Sequence, residues 1–90
     1  MAAIFRSGNR VGQQLQFCWE VTPEDRPYSY TIRQLSPVQQ VVRPLTQHSG
    51  GDDCMIGDIQ PGDVGTLIVR IEITMDGKTA GAQVSRTVLP

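Results

Sequence analysis

The sequence predicts an all-β fold, a small antiparallel β-sandwich of about seven strands, on three observations. Leu67, Val69, Ile71 and Ile73 alternate with Ile68, Arg70, Glu72 and Thr74, a period of two that sends one set of side chains to each face of a sheet. Asp76-Gly77 comes next, and this dipeptide suits a two-residue hairpin because a type I′ turn needs positive φ at both central positions. Upstream, short alternating runs separated by Gly, Pro, Asn and Asp recur at intervals of about 8–12 residues, the cadence of a sandwich.

Taken in order, Ala2–Arg6 reads as a short first strand with Ile4 and Phe5 on opposite faces, and Ser7-Gly8-Asn9-Arg10 as a turn. Leu15, Phe17, Trp19 and Val21 alternate with Gln14, Gln16, Cys18 and Glu20, the pattern of a half-buried strand. Thr22–Pro27 carries two prolines and three charges and is a loop. Tyr28, Tyr30 and Ile32 alternate with Ser29, Thr31 and Arg33 in a third strand, closed by Pro37.

Val38–Leu45 forms a fourth strand at a sheet edge, since Pro44 has no N–H to give a ladder. Thr46–Asp53 is polar, contains Gly50-Gly51, and reads as the most mobile loop. Cys54–Ile59 is a short strand, and Gln60–Gly65 a turn into the long hairpin. On its return strand Ala80, Ala82, Val84 and Val88 share a face with Arg86, whose guanidinium is expected to reach water at the sheet's end.

Ninety residues make a single domain, 1–90. Eight Lys+Arg against nine Asp+Glu leave a net charge of −1, so the chain lacks the basic footprint of a nucleic-acid binder. No apolar run approaches the ~20 residues of a membrane-spanning helix. Met1–Arg6 has no secretory h-region, which points to a cell interior or to a Met1 standing in for a removed leader. Seven of the eight cations are Arg, a residue enriched at interface cores where Lys is depleted. Cys18 and Cys54 are the only cysteines, and without a signal peptide they are expected to be free thiols.

Leu15-x-Phe17-x-Trp19, then Pro23, then Tyr28-x-Tyr30-x-Ile32 resembles the second and third strands of fibronectin type III domains. Ile59-x-Pro61 with Asp63-x-Gly65-Thr66-Leu67 resembles the corner before the sixth strand of immunoglobulin-like domains. Leu67 and Val69 stand where that family carries a corner tyrosine and a disulfide cysteine, so both of those features are missing. The resemblance spans Leu15 to Leu89 and implies an immunoglobulin-like sandwich. It implies little about activity, because such sandwiches host many unrelated roles.

For chemistry, His48, Asp52, Asp53 and Cys54 form the one cluster of mixed metal-ligand types. It lacks the paired Cys or His spacing of a zinc site and the ligand spacing of an EF-hand. A Cys54–His48 nucleophile pair has no third residue to orient the base. No cofactor and no metal are therefore expected. Trp19, Tyr28 and Tyr30 share faces with Leu15, Phe17 and Ile32, which marks them as core and not as a base-stacking platform.

The expectation is a non-enzymatic structural or interaction module bound to protein partners in a larger homo- or hetero-assembly, without nucleic acid or membrane. The resemblance extends to small immunoglobulin-like accessory or decoration proteins of phage virions, which implies a virion or cytoplasmic location. The alternative is an excised extracellular adhesion or receptor module of fibronectin type III kind. Binding is expected on a sheet face or edge, with Arg33 and Arg43 as outward anchors, Val38 and Val41 on the edge segment, and His48 in the adjoining loop.

Overall fold

A computed structural model describes the whole chain, Met1–Pro90. Its elements in order are β1 (Ala2–Arg6), β2 (Gln14–Glu20), β3 (Tyr28–Ser36), β4 (Gln40–His48), β5 (Asp53–Asp58), a 3₁₀ turn (Pro61–Asp63), β6 (Gly65–Met75) and β7 (Lys78–Val88). They form two antiparallel sheets, one ordered β1-β2-β5 and the other β4-β3-β6-β7. The fold is an all-β sandwich of seven strands.

The β6–β7 hairpin is the longest unit. Its register runs without a break from Gly65 opposite Val88 to Met75 opposite Lys78. Asp76 and Gly77 have φ of 52° and 78°, the two left-handed positions that the turn requires. Leu67, Val69, Ile71 and Ile73 face inward and are buried, with Phe17, Trp19 and Val21 of the other sheet and Tyr28, Tyr30 and Ile32 of β3 packed against them. Each such side chain contributes about 1.5–3 kcal/mol when it leaves water. Trp19 lies at the centre, 1% exposed.

The two flanks of the sandwich differ. On one, β1 runs against β7, and hydrogen bonds stitch the sheets together: Val11 N–H donates to the Leu89 carbonyl and Leu89 N–H to the Asn9 carbonyl. Arg86 belongs to this seam. Its guanidinium does not turn to water but donates to the backbone carbonyls of Phe5, Ser7 and Gly8 and lies over the Phe5 ring. On the other flank, β4 and β5 are the outermost strands of their sheets and neither has a neighbour beyond it.

Strand β4 confirms the edge assignment and shows how Pro44 is tolerated. From Tyr30 to Ile32 β3 advances two residues while β4 advances three, Thr46 to Arg43; from Ile32 to Arg33 β3 advances one while β4 advances two. These two bulges absorb Pro44 and twist the edge. The strand also runs on through Thr46–His48, so the expected eight-residue mobile loop shrinks to Ser49–Asp52.

The cysteines correct the sequence reading. Cys18 and Cys54 sit directly opposite each other on β2 and β5 and are joined by a disulfide. Cys18 does point away from the Trp19 face, as its strand parity requires. What the parity could not reveal is that β5 pairs with β2 in the register that brings Cys54 beside it. Closing a loop with a sequence separation of 36 removes about 4 kcal/mol of unfolded-state entropy on the loop-closure account.

Candidate functional site

The β4–β5 flank concentrates the chain's unsatisfied surface. Val38, Val41, Val42 and Leu45 on or before β4 and Ile56 on β5 are exposed, Leu45 the most at 68%. Val41 lies on the outer face of one sheet and Ile56 on the outer face of the other, while Val42 borders the space between the sheets. What these residues share is their place on or beside the two edge strands of this flank.

Between those edges the sheets part over a cavity of about 130 Å³, bordered by Val42 and Gln34 on one sheet and Met55, Gly57 and Ile59 on the other, with Leu67 and Val69 at its floor. Gln34 is the only buried polar side chain of the core. Its amide donates to the Val38 carbonyl and its oxygen accepts from Gln40 Nε2, which secures the start of β4 beside the opening.

At the far end of the flank a second group closes the β4–β5 turn. The His48 ring stacks on Tyr28 at 4.8 Å and 15°. His48 Nδ1 accepts from Gly50 N–H at 3.0 Å, so Nε2 carries the proton in the neutral ring and donates to Asp53 Oδ2 at 2.9 Å. Tyr28 Oη accepts from Trp19 Nε1–H at 3.0 Å and donates to the Gly51 carbonyl at 2.7 Å. Burial pushes the Tyr28 phenol above its ordinary pKa of 10.0; the Trp19 hydrogen bond pulls it partly back, and the charges of Asp53 and Asp52 raise it. Gly50 completes the turn at φ +134°, where a Cβ would lie 2.9 Å from the Glu24 and Arg26 carbonyl oxygens.

The residues expected to bind are spread unevenly over this flank. Val41 and Arg33 face each other across β4 and β3 on the outer surface, and Val38 precedes β4 and is exposed. Arg43 corrects the expectation of a second outward arginine. The bulges place it opposite the buried Ile32, on the inner face, where its guanidinium donates to Tyr30 Oη at 2.8 Å and lies over the Tyr30 ring. The outward neighbour of Arg33 is Arg70, its partner on β6, which bonds Glu72 and Gln83. His48 is on the flank but turned into the protein.

Cys54 sulfur is bonded to Cys18, so the Cys54–His48 pair presents no thiol. No three His, Cys, Asp or Glu side chains converge closely enough to hold a metal ion. Sequence reasoning missed Leu45, Ile56 and the Gly57 gap, and it included Val42 in the edge segment Val38–Arg43 without singling it out. Ile56 was legible in principle, since it alternates with the inward Met55. The β4 residues were not, because each bulge reverses the parity of the residues beyond it.

Comparison with protein-family models, with curated proteins and with solved structures finds no significant match.

Proposed function

We propose that this chain is a non-catalytic interaction module that docks on a larger protein assembly through the β4–β5 flank. The observation that carries the reading is the coincidence of two unpaired sheet edges with five of the eight exposed large apolar side chains, Val38, Val41, Val42, Leu45 and Ile56. Burying them in a partner removes apolar surface from water and satisfies edge groups together. The strand order, first-second-fifth against fourth-third-sixth-seventh, supports kinship with immunoglobulin-like sandwiches. Within that kinship an accessory or decoration role on a phage virion is the reading we favour.

The Cys18–Cys54 disulfide favours a second reading, an extracellular fibronectin type III-like adhesion or receptor module, because disulfides persist in oxidising surroundings. A virion surface is equally oxidising, so the disulfide weighs against the cytoplasmic alternative and leaves the first reading standing.

Size-exclusion chromatography with light scattering, on the chain alone and mixed with the particles or cell surfaces of its source, tests the docking. The double variant Val41→Lys, Leu45→Lys alters two exposed side chains and should keep the strand spectrum and melting point while losing co-elution. Co-elution at wild-type level by this variant would refute the flank as the docking surface.

A further inference from the structure

Resting on the docking reading, we infer that the β5 edge accepts an extended segment of a partner, with an apolar side chain of leucine size facing Gly57 and a cation at each end. Three features of β5 specify this occupant. The first is the backbone. Cys18 and Cys54 stand only 4.0 Å apart at Cα, the spacing of a non-hydrogen-bonded antiparallel pair. Cys54 and, by alternation, Ile56 and Asp58 therefore aim their N–H and C=O groups away from β2, out of the sheet edge. The Cys54 N–H is held by its neighbour's carboxylate, Asp53 Oδ1, at 2.8 Å. β5 keeps an unshifted register along its whole length, and unlike β4 it contains no proline or bulge to discourage pairing. Gln60 Nε2 donates to the Asp58 carbonyl, and an extended backbone laid alongside would pair the outward groups that remain, those of Ile56 above all.

The second feature is the space on the inner face. Gly57 borders the cavity of about 130 Å³, and a Cβ built on it would meet nothing within 4 Å. Its φ is not one of the positive values found elsewhere in the chain, so the backbone does not require glycine there. The gap is near the size of cavities that hold benzene and takes one leucine-sized side chain from a strand lying along β5.

The third feature is charge. Asp52 and Asp53 stand at one end of β5 and Asp58 at the other, with Asp63 beside the cavity. Of the groups that could answer these acids, Arg43 is engaged by Tyr30 and His48 meets only Asp53. A second copy of the chain is a poor occupant, since antiparallel pairing of two β5 strands brings the Asp52–Asp53 end of each against the Asp58 end of the other. A strand with Lys or Arg at both ends meets opposite charge at both.

The test uses three capped synthetic peptides, Lys-Val-Thr-Leu-Thr-Val-Lys, the same with Glu at both ends, and the same with Gly for Leu, titrated into the isotope-labelled protein. The lysine peptide should shift and protect the amides of Cys54, Ile56 and Asp58, binding at least about tenfold more tightly than either control, with the advantage over the Glu peptide shrinking in salt. Gly57→Leu fills the gap from within; it should raise the melting point and weaken the lysine peptide at least about tenfold. Equal binding of all three peptides, protection on β4 or β7 instead, or full affinity in Gly57→Leu would overturn the inference. If Gly57→Leu still co-elutes with the source assembly while Val41→Lys, Leu45→Lys does not, the flank stands and the strand occupant falls. If the latter double variant co-elutes, the docking reading itself falls.

Discussion

At the scale of single residues, the fold hangs on Trp19 and its hydrogen-bond partner Tyr28. Trp19 is 1% exposed and touches Phe17 and Tyr30 through its ring. Truncating a buried aromatic costs about 3–5 kcal/mol, against a total of roughly 5–10 kcal/mol for a domain this size. Trp19→Ala should therefore remove about half of the total stability, read as a large drop in the midpoint of a denaturant titration; a midpoint that barely moves contradicts its central placement. Tyr28 adds a pH dependence. Its pKa is raised in the fold, so above pH 10 the folded state holds a proton the unfolded state has lost. The contribution is complete below pH 10 and disappears as pH climbs through the folded value. Tyr28→Phe should cost about 1–3 kcal/mol at neutral pH by orphaning Trp19 Nε1–H, and should flatten the alkaline fall in melting point. Parallel alkaline profiles for the two proteins would remove Tyr28 as the cause.

At the scale of elements, the legible parts were those written in local sequence. The β6–β7 hairpin needs only its alternation and Asp76-Gly77, and Pro44 alone marks β4 as an edge. What stayed hidden depends on pairing between distant strands. Arg86 looked like a misplaced polar residue near water because the carbonyls it binds belong to Phe5, Ser7 and Gly8, at the opposite end of the chain. Arg43 looked outward because nothing in Val38–Leu45 reveals two bulges. The Cys18–Cys54 pair looked unpaired because the β2–β5 register is a long-range fact. Its presence has a direct check: alkylation under denaturing conditions without reductant should leave the intact mass unmodified, and reduction should lower stability by about 4 kcal/mol. Two alkylated thiols in the unreduced protein would contradict the bridge.

At the scale of the molecule, the sandwich is asymmetric. On the β1–β7 flank both strands are also outermost in their sheets, but Arg86 and the Val11 and Leu89 hydrogen bonds tie one end of that flank together. The β4–β5 flank is left with bare edges, apolar side chains and an unfilled gap beside Gly57, while the His48–Tyr28–Gly51 clasp holds its turn in place. The proposed docking rests on this difference between the flanks. Hydrogen exchange along the backbone, compared between the free chain and the chain bound to its assembly, tests this most directly. The account predicts new protection confined to β4 and β5, centred on Val41–Leu45 and Cys54–Asp58, with β1 and β7 unchanged. Protection that falls instead on β1, β7 or the outer face around Arg70 would contradict it.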